Sequence, residues 1–400
     1  MVNKMVEQVK TKTEPHVRFR GFTDEWEDRK LEDVIISIQT GTNLLGAESN
    51  HGIPLIKMGN IQRGFFSFKK VEFLKDNEEV EERNMANFGD FLFNTRNTLE
   101  LVGKGATWFG KDNKFAFNSN IARVTFEGIN TIFFNYLYNT PQMIKQVRAR
   151  AVGTTSVAAV YPKDLNSIKF WVPSESEQQK IGELFQTLDK TIDLSNTHVE
   201  NLKQQKKALL QHLFPQKGET EPKVRLRGFT DEWEQVKLGD VLNYSQPTKY
   251  IVESDNYDDS FTTPVLTAGK SFLLGYTDET DGIYDKGDVI LFDDFTTATQ
   301  LVDFEFKVKS SAMKLLTPTG DNNINFLYET LNLVQYPHDD HKRYWISEYT
   351  TLKVKVPCDN DEQQAIGELF QTLDEQIRLA EDKVSQYKEL KQALLQRLFV

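Results

Sequence analysis

The sequence predicts an α+β chain in which two α/β domains are separated by two long antiparallel helices forming a coiled coil, with a pseudo-twofold internal repeat. Three observations predict it. The segment Glu177–Asp189 (EQQKIGELFQTLD) returns as Glu362–Asp374 (EQQAIGELFQTLD), and Ala208–Phe214 (ALLQHLF) returns as Ala393–Phe399 (ALLQRLF), both at an offset of 185. Apolar residues through both copies recur at alternate steps of four and three. A lead-in, Val17–Glu27 (VRFRGFTDEWE), reappears as Val224–Glu234 (VRLRGFTDEWE) at a different offset, 207.

The helices come first. In the first copy the seam runs Ile181, Phe185, Leu188, Ile192, Ser195, Val199, Leu202, Lys206, Leu209, Leu213. In the second it runs Ile366, Phe370, Leu373, Ile377, Ala380, Val384, Tyr387, Lys391, Leu394, Leu398. A 3.5-residue period sustained over several heptads marks a long helix with a coiled-coil seam. Two unrelated amphipathic helices would not explain identity at off-seam positions such as Gly182, Gln186 and Thr187. Lys206 and Lys391 interrupt both seams at matched positions and are suited to setting register. Leu184, Leu210, Phe214, Leu369, Leu395 and Phe399 lie beside the seam, where they would widen the apolar stripe for partner proteins.

The bodies come next. The change of offset means that duplicated boundaries enclose middles differing by 22 residues. A drifting tandem duplication would spread its divergence evenly; divergence confined to the middles suggests exchangeable modules on a fixed frame. The expected partition is a flexible start at 1–16, a first body at 17–173, a helix at 174–215, a linker at 216–223, a second body at 224–357 and a second helix at 358–400. The first body reads as strands at 52–61, 89–93, 115–126 and 168–172, with one amphipathic helix within 131–150. The second reads as strands at 287–292, 304–308 and 352–356, with a helix at 325–333. Ser174 or Ser176, and Asp359 or Asp361, are placed to cap the long helices.

Composition bounds the chemistry. Four hundred residues point to two or three domains, and 39% hydrophobic content supports real cores. No stretch is apolar enough for a membrane span, and Met1–Thr13 is polar rather than a secretory signal. One cysteine, Cys358, fits a reducing cytoplasm. The net charge of −11 weighs against nucleic-acid binding on average. By segment, 28–173 holds 18 basic against 15 acidic residues, while 235–357 holds 11 against 19.

Catalytic motifs fail in turn. Gly269-Lys270-Ser271 lacks the glycine a phosphate loop requires, since position 264 is Pro264. His338 and His341 have no further histidine or cysteine nearby to complete a zinc site. The best enzymatic alternative is a Mg²⁺-dependent nuclease built on Asp293, Asp294, Glu305 and Lys307. Its acid–acid–lysine pattern is common in a chain with 27% charged residues, and the first body has no counterpart.

Polar loops remain. Arg pairs with guanine, Asn and Gln with adenine, and threonine's methyl with thymine. In the first body the DNA-binding candidates are Arg63, Asn94, Arg96, Asn97, Lys104, Asn118, Asn120, Arg148, Arg150, Thr154, Thr155 and Ser156. In the second they are Thr267, Lys270, Ser271, Thr296, Thr297, Thr299, Gln300, Lys309, Ser310, Lys342, Arg343 and Tyr344.

Two variable bodies alternating with near-identical helices, each entered by Glu-Gln-Gln after a proline-ended strand, resemble the specificity subunits of type I restriction–modification enzymes. The likeness runs from Val17 to Phe399. It is most specific at Pro173–Leu188 with Pro357–Leu373 and at the Arg-Gly-Phe-Thr-Asp-Glu-Trp lead-ins. The resemblance implies two target-recognition domains, each reading one half of a bipartite, asymmetric site in double-stranded DNA. It implies antiparallel helices that set the half-site spacing, on the order of one helical turn. It implies no catalysis and no cofactor in this chain. Chemistry would belong to two methyltransferase subunits using S-adenosylmethionine and two motor-nuclease subunits using ATP and Mg²⁺. The setting would be the cytoplasm, with no membrane partner. A coiled-coil adaptor that binds only protein is the third reading.

Overall fold

The computed structural model of the chain describes residues 14–75, 78–267, 272–334 and 343–399. Its contacts divide into two units, Met1–Ser195 with Lys383–Val400, and Asn196–Asp382. The division cuts both long helices, Glu175–Leu213 and Asn360–Arg397. Each unit therefore holds one body, the N-terminal part of one helix and the C-terminal part of the other. At 39 and 38 residues, the helices are each about 57–58 Å long.

In the first unit a four-stranded antiparallel sheet runs in the order Ile35–Thr40, Ile121–Phe126, Phe91–Asn94, Gly105–Thr107. A smaller sheet runs Glu72–Phe73, Pro54–Ile56, Ala116–Phe117, its last pair parallel. Glu27–Lys30 pairs with Lys169–Val172, tying lead-in to exit. The single helix expected within 131–150 is two, Thr131–Tyr138 and Pro141–Ala149. Pro141 has no N–H for the helical ladder but suits a first helical position, where Thr140 caps it.

The second unit repeats this topology with other residues. Its large sheet runs Leu242–Ser245, Met313–Pro318, Val289–Asp293, Thr299–Val302. The smaller runs Leu273–Thr277, Thr263–Leu266, Lys307–Val308, again ending in a parallel pair. Trp233–Lys237 pairs with Lys353–Pro357, and Asn323 caps helix Ile324–Leu333 as Asn130 caps its counterpart. One expectation fails here. The strand read at 304–308 is only Lys307–Val308; Lys307 is buried, with Nζ 2.6 Å from Glu279 Oε2 and donating to the Asp281 carbonyl, while Phe304 is exposed.

Within each unit the helix segments pack antiparallel. In the first, Phe185 stacks on Phe399 at 5.8 Å and Lys391 pairs with Asp189. In the second, Phe214 meets Phe370 at 5.7 Å, Lys206 reaches Asp374 at 2.6 Å and Lys203 reaches Glu381 at 2.7 Å. Ile181, Phe185, Leu188, Ile192, Val199, Leu202 and Leu213 are buried, as are Ile366, Phe370, Leu373, Ile377, Val384, Leu394 and Leu398. Leu209 and Tyr387 are half-buried. The helix ends are not free rods. Ile181, Phe185, Leu394 and Leu398 share one core with Phe133, Phe134 and Tyr136 of the body. Leu184, Phe214 and Phe399 lie inside these cores, and Leu210, Leu369 and Leu395 pack against them. Of the six residues expected to widen the apolar stripe for partners, three are thus used internally and three are half-buried.

The duplicated motifs are the bolts of this frame. Arg18 makes two 2.8 Å bonds to the buried Glu177 carboxylate, and Arg225 makes two to Glu362, at 3.0 and 2.5 Å. Gln178 accepts from the Asn130 N–H at 2.9 Å and donates to the Gly128 and Pro173 carbonyls. Gln363 likewise accepts from the Asn323 N–H. Glycine follows for a steric reason. A Cβ at Gly182 would lie 3.1 Å from the Phe133 nitrogen, and one at Gly367 would overlap Asn323 Oδ1. Asp359, not Asp361, is the side chain at the second helix entry, accepting from the Asp361 N–H.

Candidate nucleic-acid interface

Both bodies present the hairpin loop between the second and third chain-order strands of their large sheet. In the first unit this loop spans residues 95–104, and it gathers most of the predicted residues. Asn94, at its base, is fully buried; its Oδ1 accepts from Lys104 N–H at 3.0 Å and its Nδ2 donates to the Leu101 carbonyl. Asn94 is therefore a brace of the loop and does not face a ligand, a correction to the sequence reading. Asn97 Oδ1 accepts from Thr98 N–H at 2.8 Å. The Thr155 carbonyl accepts from Leu99 N–H, docking the exposed Thr154, Thr155 and Ser156 turn against the loop.

Three cations converge on the same loop. Arg63 Nη2 and Arg148 Nη2 both donate to the Glu100 carbonyl, at 3.3 and 2.9 Å, and Lys104 Nζ donates to Gln62 Oε1 at 2.8 Å. Burial, then the charge of Arg148, pulls Arg63 below the ordinary guanidinium range. Burial, then Arg63, pulls Lys104 below the ordinary lysine ammonium range. Arg150 belongs elsewhere: its guanidinium is spent on Ser167 and the Gln146 carbonyl, bracing the helix against the exit strand.

A cleft of about 310 Å³ is lined by Arg96 and Asn120 with Thr40, Asn43, Thr95, Ser119 and Tyr161. Asn118 shapes its rim by accepting from Asn120 N–H at 3.2 Å. Sequence reasoning missed Thr40, Asn43 and Tyr161. They are far from Asn118–Asn120 along the chain, and only the pairing of 35–40 with 121–126 and of 158–159 with 96–97 brings them in.

In the second unit the equivalent hairpin is short and acidic at its base. The buried Asp293 carboxylate accepts from Phe295 N–H, Thr296 N–H and the Thr296 hydroxyl. Thr297 follows at φ +58°, in the left-handed region. The Thr299 hydroxyl donates to Asn332, and Gln300 is exposed. Arg343 lies 5.7 Å over the exposed Phe295 ring. Lys309 is held by Asp255 and Tyr257, and its hydrogen bond to Asp255 raises its pKa. Ser310 accepts from Ala312 N–H, and Thr267 N–H donates to the Phe272 carbonyl. Tyr344 is buried beside Trp345, so its expected exposure to DNA is corrected. Lys270, Ser271 and Lys342 lie outside the described residues, as do His338 and His341.

The Mg²⁺ cluster does not assemble. Asp293 is consumed by its turn, Asp294 accepts from Trp345 N–H and pairs with Lys314 at 3.2 Å, Lys307 pairs with Glu279, and Glu305 is exposed. Among the described residues no group of three or more His, Cys, Asp or Glu is placed to hold a metal. No described helix is long and apolar enough to cross a membrane.

A duplicated α+β frame that keeps its bolts and varies its loops defines a class of two-module proteins. The family model described as "Type I restriction modification DNA specificity domain" matches residues 23–204 and 230–389, and the chain belongs to that family. It is 48% identical over 148 residues to the Escherichia coli protein named "Type I restriction enzyme EcoR124I/EcoR124II specificity subunit", 36% of each chain. It is 25% identical over 229 residues to the "Putative type I restriction enzyme MjaX specificity subunit" of Methanocaldococcus jannaschii, 54% of this chain and 52% of that one. The matches thus span about a third to a half of these relatives. A solved S subunit of a type I restriction–modification system from M. genitalium shares the fold: TM-score 0.70 at 15% identity, covering 95% of this chain and 97% of that one.

Proposed function

We propose that the chain is the non-catalytic DNA-reading subunit of a type I restriction–modification complex, each body reading one half of a bipartite, asymmetric site in double-stranded DNA. Its partners would be two methyltransferase subunits, which hold S-adenosylmethionine, and two motor-nuclease subunits, which hold ATP and Mg²⁺, in the cytoplasm. Residues 17–173 and 224–357 would be the target-recognition domains, 174–215 and 358–400 the conserved helices, and 216–223 the linker. The observation that carries this is the repeated topology with unlike hairpin loops. The frame residues Arg18, Glu177 and Gln178 recur as Arg225, Glu362 and Gln363. The loops at 95–104 and 294–298 share neither length nor charge.

Reading bases from such loops is side-chain work in the major groove, and phosphate contacts fix the register. The test is to assemble the chain with its methyltransferase and map methylated adenines. A split motif is expected. Replacing the first body with that of another family member should change one half of the motif and leave the other. An unchanged motif would point instead to an adaptor that binds only protein.

A further inference from the structure

We propose that Arg63, Lys104 and Arg148 form a phosphate cluster that grips the DNA backbone, and that the first body carries the larger share of sequence-independent affinity. This rests on the DNA-reading function proposed above. Three features of the cluster lead to it.

First, the charges are brought together without being neutralised. Both guanidinium groups donate to one carbonyl oxygen, that of Glu100, and Lys104 stands beside Arg63. Among the described residues, no carboxylate forms an ion pair with any of the three. The exposed Glu100 carboxylate acts on Arg63 more weakly than the repulsion from Arg148 does. A fold that holds like charges in contact gives up stability, and an arriving anion returns it.

Second, the donors are spare. A guanidinium carries five N–H donors, and the Glu100 carbonyl takes one from each. Arg148 is exposed, and no nitrogen of the half-buried Arg63 and Lys104 is a buried atom left without a partner, so the remaining donors reach solvent. A phosphodiester oxygen is the acceptor such forks fit.

Third, the site is rigid. The turn carrying Arg63 is closed by Gln62 N–H to the Phe65 carbonyl, and Gly64 is bonded on both sides, to Gly105 and by Asn135. Three lysines of the second body are treated oppositely. Lys307, Lys309 and Lys314 each face a carboxylate.

The test uses the chain assembled with its methyltransferase subunits. Fluorescence anisotropy would follow binding to a random-sequence duplex and to one carrying the methylated motif, from about 50 to 200 mM salt. The double variant Arg63→Gln, Arg148→Gln should weaken both duplexes by the same factor, tenfold or more. It should also lower the log–log salt slope by about 0.9 for each phosphate no longer neutralised. Lysine at both positions should keep most of the slope, and Lys309→Gln in the second body should change it least. If the double variant does not fold, Lys104→Gln, which leaves both bonds to the Glu100 carbonyl in place, decides. An unchanged slope with intact discrimination between duplexes overturns the cluster and spares the reading function. No discrimination by the parent complex overturns the reading function, while the slope still judges the cluster.

Discussion

The two units share strand order in their large and small sheets, helix caps and bolts, yet they bury charge differently. In the first, the helix seam meets the body through Tyr136, whose hydroxyl donates to Asp189 at 2.9 Å beside Lys391. At the equivalent place in the second stands Glu329, only 2% exposed, with Lys206 between it and Asp374. A phenol held above its ordinary pKa by burial is neutral throughout the working range. A buried carboxyl is not. The same topology therefore gives one unit a neutral junction and the other a titratable one, and this difference can be broken or sharpened by substitution.

The largest effect should come from the bolts. Arg18 and Glu177 are 5% and 1% exposed, and Arg225 and Glu362 are 15% and 0%. Removing one partner of a buried pair strands a charge, which costs about 3–5 kcal/mol. Arg18→Ala should destabilise the first unit by that much, read by urea unfolding with hydrogen exchange to localise the loss. Arg225→Ala should cost less in the second unit, because water reaches its partner more easily once the arginine is gone. Equal losses would remove the asymmetry.

The seam lysines come next. Lys206→Met leaves Glu329 buried without its cation, at about 3 kcal/mol. Lys391→Met removes a pair whose side chains are 28% and 35% exposed, an effect of about 1 kcal/mol or less. Urea unfolding of the two variants side by side checks the difference.

The third prediction concerns pH. Burial raises the Glu329 pKa above its ordinary 4.5, against the opposing pull of Lys206. Lys206 Nζ sits 2.7 Å from Oε1 and 2.6 Å from Asp374 Oδ1, so one ammonium is shared between two carboxylates. Between the unfolded and the folded pKa, the native state binds more protons than the unfolded chain. Stability of the second unit should therefore fall as pH rises above about 4.5 and level off past the folded pKa. Glu329→Gln should flatten that slope, and the first unit should not show it. Amide exchange measured across pH 4–8 checks both statements.

How much of this was legible follows from where each residue acts. The frame repeats, and apolar spacing exposes a helix because burial on one face is a local, periodic demand. Repetition alone also marked Arg18, Glu177 and Gln178, but not their tasks, since Arg18 and Glu177 are 159 residues apart. The loops were found by composition, and composition could not separate Arg63 from Arg150. Both are arginines in polar stretches, and only the tertiary fold spends one on Ser167 and the Gln146 carbonyl and gives the other a single bond to the Glu100 carbonyl. Tyr344 and Asn94 were misjudged for the same reason. A polar side chain looks alike in sequence whether it faces a ligand or a backbone.

The smallest predicted effect isolates the helix caps. Asn130 Oδ1 accepts two N–H groups, from Ile132 and Phe133, and Asn323 Oδ1 accepts one, from Phe326. Either change to Ala should cost about 1 kcal/mol. The glycines beneath them differ in what an added Cβ would meet: at Gly182 the Phe133 backbone at 3.1 Å, at Gly367 the Asn323 side chain itself. Gly367→Ala should therefore be costly alone and cheap once Asn323 is Ala, because the obstructing amide is gone and Ala suits a helix better than Gly. Gly182→Ala should gain no such relief from Asn130→Ala. Double-mutant cycles should give a coupling of about 1 kcal/mol in the second unit and near zero in the first. Equal couplings would mean the two glycines answer to the same contact.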